Sequence, residues 1–469
     1  MARSQFEGRR GISCRMVATV KIDSERSRIR AALVNSGRYS FEEADERLAT
    51  SKLPLFLDGE AATTAAGQAA FLTAVVTGSR CFGEVCVRGA LDRPLIIPVP
   101  LNASTIGEAA GILGAQFCSC RFPNRAIWIG DGDAHCDGWS VQASWDGWTV
   151  AVGPTGQCPA VGRIDCALAG IASGALAVGQ AFLAEQGDPR AGKTVQRFSL
   201  WSSHLSKDGV SDPGPEVFYL PEAFWLVGLG NLGQAYLWTL CVLPFHDPNR
   251  VQLLLQDDDL IEKENWGTSI LVERGRYGIL KTRIAEEWAD RRGFCARRID
   301  RRLDEHLRRG DREPAIALAG LDSMPARRLL GLPGFSYIID AGLGATAADY
   351  QKFRINVFDK GRDPAQHFAG VEDDRVSAVE ELMRLRAYKE FALSQNDGGC
   401  GAAMLAERSV AVPFVSAFVG AVVITQAIRI ASGEAPNVVL TGDLGDLRTV
   451  RATLGKPAVS AGIVCSLAS

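Results

Sequence analysis

The sequence predicts an α/β protein of two halves, the second of them built on a mostly parallel sheet. Three observations carry that expectation. Short apolar runs alternate with longer polar segments from about residue 217 onward, a glycine-rich turn follows the first of those runs, and one helical signature occurs twice, near the end of each half. At 469 residues the chain exceeds what a single core of roughly 250 to 300 residues organises, so two domains or one large double one are expected.

The chain opens with MARSQFEGRRGISCRM, which has no apolar stretch of the signal-peptide kind. It is expected to stay in the cytosol, with its twelve cysteines mostly reduced and buried. None forms the CxxC pairs that a structural zinc wants, and CSC at 118–120 is too close and too isolated to argue a site. Between 50 and 200, LDRPLIIPVPLN (91–102), RAIWIGDG (125–132) and WTVAVGP (148–154) read as strands, none followed by a phosphate-binding glycine turn. A linker is expected at SKDGVSDPGPEV, 206–217, where Pro, Gly, Ser and Asp concentrate.

The second half reads as the strands FWLVGLG, VQLLLQD, FCARRID, AIALAGLD and YIIDAGLG, with helices expected between the first four, hence right-handed crossovers. QKFRINVF (351–358) adds a strand, RVSAVEELMRLRAYKEFAL (375–393) a charged helix, and SQNDGGCG (394–401) a polar loop. The basic stretch 289–312 interleaves arginines with acids and reads as a solvated helix face; a net charge of -3 gives no reason to expect a polyanion partner. VAVPFVSAFVGAVVITQAIRIA (410–431) is long enough to cross a membrane. It carries Pro413, Ser416, Gly420, Thr425, Gln426 and Arg429, so a helix buried between a sheet and a partner domain explains it better.

That helix has a counterpart. GALAVGQAFLAEQGDP (174–189) and GAVVITQAIRIASGEAP (420–436) place Gly174 with Gly420, Gln180 with Gln426, Ala181 with Ala427 and Gly187 with Gly433 at identical offsets. Two buried helices alike by chance is one reading; a duplication with one half degenerate is the other.

The chemistry concentrates at GLGNLGQ, 228–234. Gly228, Gly230 and Gly233 fit G-x-G-x-x-G after a strand and at the start of a helix, where backbone N–H groups and the helix N-terminus, with Asn231, face a phosphate. Alone this does not separate NAD from ATP, and Asp257 fills the place of a ribose acceptor in either case. Asp259, Asn265, Gly278, Lys281 and Asp322 extend the set. A hydride-transfer site needs neither the lysine for phosphate charge nor a carboxylate for Mg²⁺.

These residues resemble the ThiF/MoeB/HesA adenylyltransferases and the ubiquitin-activating enzymes related to them: GLGNLG, DDDLIEKENWGTS, GILK and LDSMPARR stand where that family has GxGxxG, DxDxVxxSNLxRQ, a Gly and Lys, and an Asp opening a helix with Arg. The resemblance is specific over 220–440. It implies a Rossmann-like adenylation domain with MgATP, Asp257 on the ribose, Asp322 on Mg²⁺, and Asn265 and Lys281 on the phosphates. Cys400 falls where several sulfur-carrier activators place a reactive cysteine. Thr268 and Ser269 depart from the pattern by removing one expected cation, for which Arg274, Arg276 or an arginine from the first half is the substitute.

The resemblance further implies a fused pseudo-dimer: an inactive adenylation-like domain over 1–205, a linker at 206–217 and an active domain over 218–469. The expected substrate is the C-terminal carboxylate of a ubiquitin-like or sulfur-carrier protein, with a conjugating enzyme as a further partner and no nucleic acid or membrane; both a monomeric pseudo-dimer and a homodimer stay open. The rival expectations are a nicotinamide- or flavin-dependent oxidoreductase and a non-catalytic scaffold.

Overall fold

The computed structural model describes residues 24–118, 125–131, 138–203, 213–344, 349–371, 375–394, 410–459 and 463–468. Its first sheet holds β1 (Lys52–Leu57), β2 (Glu84–Gly89), β3 (Ala115–Phe117), β4 (Arg125–Ile129), β5 (Trp139–Asp146), β6 (Thr149–Pro154) and β7 (Gln196–Ser199). The order is β3-β2-β1-β4-β5-β6-β7, parallel as far as β5 and antiparallel beyond it. A short strand β8 (Phe218–Pro221) leads into β9 (Ala223–Val227), β10 (Gln252–Gln256), β11 (Cys295–Ile299), β12 (Ile316–Ala319), β13 (Tyr337–Leu343), β14 (Lys352–Phe358), β15 (Asn437–Asp443) and β16 (Asp446–Leu454). Their order is β11-β10-β9-β12-β13-β14-β15-β16, again parallel through the first five strands and antiparallel after. The last strand, β17 (Cys465–Ala468), pairs with β8.

Without β16 the two orders are the same, strand for strand. The helices repeat as well: Ala65–Cys81 follows β1 as Asn231–Val242 follows β9, and Ala167–Glu185 joins β6 to β7 as Pro413–Ala431 joins β14 to β15. The sequence repeat is therefore structural. Gln180 Oε1 accepts from Gly192 N at 2.9 Å and Gln426 Oε1 from Asn437 N at 2.7 Å, each tying its helix to the approach of the next strand. Gly187 and Gly433, both at φ +75, close the two helices in the left-handed turn that glycine adopts without strain.

These four helices form the seam between the halves. A Cβ on Gly170 or Gly174 would stand 2.1 Å from the carbonyl oxygen of Ala66 or Ala70, and one on Gly420 3.0 Å from that of Ala235. Small residues thus let helix backbones touch in both halves. Trp238 Nε1 donates across the seam to Thr73 Oγ1 at 3.1 Å, and the rings of Phe182 and Phe414 stand 5.6 Å apart. Every residue of Pro413–Ala431 is buried, and Ala167–Glu185 is nearly so. Their membrane-like composition is that of a helix covered on all sides by protein.

Five expectations are corrected. LDRPLIIPVPLN forms no strand beyond an isolated bridge between Pro94 and Thr105, because its prolines remove ladder donors. The connection between β11 and β12 is irregular rather than helical, pinned by Arg309 to the carbonyls of Gly310 and Glu313. The basic stretch 289–312 accordingly runs from the end of a helix through β11 into that loop; Arg302 pairs with Asp258 at 2.8 Å on the surface, whereas Arg292 is buried and donates to the carbonyls of Cys241 and Leu243. RVSAVEELMRLRAYKEFAL divides into Arg375–Met383 and Arg386–Ser394. Of the eight described cysteines, Cys81, Cys86, Cys166 and Cys241 are buried, a smaller share than expected.

Candidate functional site

The parallel strands of the second sheet end in register: Val227 pairs with both Gln256 and Ala319. The chain goes from β9 to β10 on one side and later returns to β12 on the other, so the crevice beyond β9 is the switch point where open α/β sheets hold ligands. The glycine turn opens there. Gly228, at φ +86, has the carbonyl oxygen of Gly320 2.9 Å from where its Cβ would be, and Gly233 has that of Gly228 at 2.0 Å. Side chains at either place would push the turn off the sheet.

Asp257, the first residue past β10, is the turn's anchor. Its Oδ2 accepts from Leu229 N at 2.6 Å and its Oδ1 from Asp259 N at 2.8 Å. Burial raises its carboxyl pKa, against the pull of Lys281 and of the Leu229 and Asp259 amides. Lys281, at the start of the helix Lys281–Arg292, sits 2.6 Å from Asp259 Oδ2 and 4.0 Å from Asp257 Oδ1, and its N–H donates to the Asp259 carbonyl at 3.0 Å. Gly278, at φ +75, bonds to Ile261 and brings that helix beside the aspartates. The structure therefore gathers the glycines, Asp257, Asp259 and Lys281 at one end of the sheet.

Asn231 begins the helix after the turn, and neither its side-chain oxygen nor its nitrogen, both buried, has a partner among the described residues. Asn265 heads the short helix Asn265–Thr268 and accepts from Glu262 N at 2.7 Å, holding the loop after Asp259. Asp322 lies three residues past β12, exposed, in the loop whose Gly320 packs on Leu232 and Gly233. That loop is held by Arg327, which donates to the carbonyls of Leu321 and Ala341 and lies 3.5 Å from the buried Asp340. Cys400 lies outside the described residues.

The cations proposed for the place of Thr268 and Ser269 are distributed unevenly. Arg276 is bound to Glu287 at 2.6 Å; Arg274 lies over Trp266, 3.9 Å from the ring centroid, and pairs with Glu25. Three arginines of the first half also come to this segment: Arg80 and Arg26 lie over the Trp266 ring, 4.6 and 5.4 Å from its centroid, and Arg28 approaches Glu264 at 3.6 Å. Arg80 also donates to the Ile270 and Val272 carbonyls, and Arg26 to those of Leu48, Ser79 and Phe82 in its own half.

The corresponding corner of the first half is filled by the protein itself. After β1, Asp58 Oδ2 accepts from Glu60 N at 2.9 Å and Ala61 N at 3.2 Å, and a 3-10 turn, Ala61–Thr63, stands where the other half has its open glycine turn. Two features survive. A Cβ on Gly67 would lie 1.9 Å from the carbonyl of Ala61, as one on Gly233 meets that of Gly228. Gln68 braces its turn through Ala62 and Ile96, as Gln234 braces the other through Leu229 and Leu271. Reading for glycine triplets overlooks Gln68 and Gln234, but the text of the chain contains them: GQAxxxT occurs at 67–73 and again at 233–239.

Two family models match the chain in the order of its halves: the BilD N-terminal domain over residues 52–200 and the BilD C-terminal domain over 220–434. The chain belongs to this E1-like, ubiquitin-activating-enzyme-like family. A curated relative, the bacterial E1-like protein BilD of Collimonas sp. (strain OK412), is 29% identical over 437 residues, which cover 92% of this chain and 94% of the relative. Among solved structures, E. coli MccB with MccA-N7isoASN superposes with a TM-score of 0.35 and 11% identity over 51% of this chain and 65% of that one. E. coli MccB with ATP gives 0.34 and 12% over 52% and 67%.

Proposed function

We propose that the second half of this E1-like chain binds ATP and adenylates the C-terminal carboxylate of a ubiquitin-like or sulfur-carrier protein. The observation that carries the reading is the convergence, at the switch point of one sheet, of an open glycine turn, a buried ribose acceptor in Asp257, the Lys281 ammonium and the loop bearing Asp322. Asn231, with its amide unpartnered beside the turn, is a further contact for the nucleotide.

In this mechanism a carboxylate oxygen of the carrier attacks the α-phosphorus, the bond to the β-phosphate oxygen breaks, and pyrophosphate leaves with the electron pair. The protein contributes position and charge: N–H groups of the turn and the helix behind it, and Lys281 turning from Asp259 to the phosphates. Asp322 would hold Mg²⁺, a cation suited to carboxylate oxygen, and the ion would offset the triphosphate's charge. Arg26 and Arg80 are committed to carbonyls, so Arg28 is the first-half cation assigned to the place of Thr268.

The first half is read as an inactive partner, because Asp58 already occupies the amides that a phosphate would need. Cys400, on its sequence position, is the thiol proposed to take the acyl group, with a thiol on a conjugating protein as the other recipient.

ATP–pyrophosphate exchange with the candidate carrier tests the reading. Asp322→Ala is expected to remove exchange while the fold persists by circular dichroism, and Cys400→Ala to keep exchange but lose any reducible adduct. Full exchange by Asp322→Ala refutes the metal role. Absence of both exchange and ATP binding with every carrier refutes the enzyme and favours the scaffold.

A further inference from the structure

The cysteine of CSC that sequence reading set aside, Cys118, is brought by the first sheet against two side chains from β2. Glu84 and Cys86 are two residues apart on that strand and share a face, and Cys118 follows β3, its N–H donating to Val87 O at 3.3 Å. A carboxylate oxygen of Glu84 and the sulfurs of Cys86 and Cys118 all lie within 4.8 Å of one another. The Cys86 thiol donates to Glu84 Oε1 at 2.9 Å, while Glu84 Oε2 pairs with Lys52 Nζ at 2.8 Å.

We propose that Glu84, Cys86 and Cys118 form a binding site for a thiolate-preferring divalent cation, of the zinc class, that fastens β3 to the rest of the sheet. The donor set is one oxygen and two sulfurs. Two thiolates select zinc over magnesium or calcium, and ligand atoms about 3.5 to 4 Å apart surround one tetrahedral ion at about 2.0 to 2.3 Å from each. Three protein ligands leave a fourth position to water. Lys52 orients the carboxylate from behind, as outer partners of metal ligands do.

The alternative for two neighbouring cysteines is a disulfide, and the register disfavours it. Cys86 pairs with Gln116, so Cys118 is two residues along the adjacent strand. Strands about 4.8 Å apart with an offset of about 6.6 Å separate the two Cα atoms by roughly 8 Å. A disulfide spans about 4.4 to 6.8 Å. A metal bridges the pair without moving either strand.

Binding exchanges protons for the ion: two thiols lose two protons to solvent and two sulfur–metal bonds form. Affinity therefore falls as the medium is acidified. The mechanical consequence is local. β3 is three residues long and lies at the edge, with β2 as its one neighbour among the described strands, so the ion ties down a short edge element.

The test titrates the full chain, purified under reducing conditions and chelator-treated, with Co²⁺, and measures metal content after zinc loading. One equivalent of cobalt with a thiolate-to-cobalt charge-transfer band is expected, together with a zinc-dependent rise in Tm that a chelator reverses. Glu84→Gln should weaken binding about tenfold or more, and Cys118→Ser, a half-exposed position that spares the core, should abolish the band with the circular dichroism intact. Absence of the band, its persistence in a Cys86→Ser, Cys118→Ser double variant, or recovery of a Cys86–Cys118 disulfide peptide from non-reduced digests in place of metal overturns the site.

Discussion

At the scale of single residues the crevice proposed for the nucleotide trades stability for function, and Asp257 shows how. Its carboxylate anchors Leu229 and Asp259 yet is buried deeply enough that its pKa is raised. The stability it contributes is present below the unfolded carboxylate pKa of about 3.9 and is lost as pH rises through the folded value. At neutral pH Asp257→Asn, which sheds the buried charge but keeps only one of the two acceptor oxygens, is expected to leave Tm little changed, the two effects offsetting. The same change should weaken ATP binding by about tenfold or more, through loss of a charged acceptor. A marked drop in Tm at pH 7, with ATP affinity intact, would contradict both halves of this account.

The gathering of these residues at one crevice was legible because their spacing lies within continuous segments: Gly228 to Gly233, Asp257 to Asn265, Asn265 to Lys281. Lys281's contact with Asp259 was not, since nothing in the text says which anion a lysine meets. Arg274 and Arg276 illustrate the same gap. Both are next to the site in sequence, and both are engaged elsewhere, by Glu25 and Glu287.

At the scale of elements, the seam depends on missing side chains. Gly174 admits Ala70 so closely that a methyl group would stand 2.1 Å from a backbone oxygen, and backbone cannot swing aside. Gly174→Ala is expected to destabilise by about 3 kcal/mol, the upper range for overpacked cores. Gly111→Ala is the control: it lies in the helix Ile106–Ile112 with nothing within 4 Å, and alanine there should stabilise by up to about 1 kcal/mol. Denaturant midpoints of the two variants measure the contrast, and equal midpoints would defeat the close-approach argument. Most strands of the second half were readable as apolar runs between turns. LDRPLIIPVPLN misled because its apolar residues hold the strand pattern while its prolines remove the N–H groups that a ladder needs.

At the scale of the molecule, the halves are bound by helices that have no solvent-facing side. The Pro413–Ala431 helix is covered by Asn231–Val242 from its own half and by Ala167–Glu185 from the other. Residues 213–469 expressed alone would expose that face, and apolar patches of this kind drive association. The isolated second half is expected to aggregate or to need residues 24–203 supplied in trans. A monomeric, cooperatively folding half by size exclusion and calorimetry would show that the seam is dispensable.

By itself the sequence determined the α/β class, the glycine turn with its aspartates and lysine, and the likeness of the two Gln-Ala helices at 174–189 and 420–436, because each rests on neighbours in the chain or on a period. The tertiary structure alone decided that both sheets share one strand order, that Asp58 closes the corner the second half leaves open, and that Arg28 reaches the opposite half. It also decided that Cys118 meets Glu84 and Cys86. Those facts depend on which strands lie side by side and in what register, and pairing between distant segments is chosen by the packing of the whole core rather than by any local run of residues.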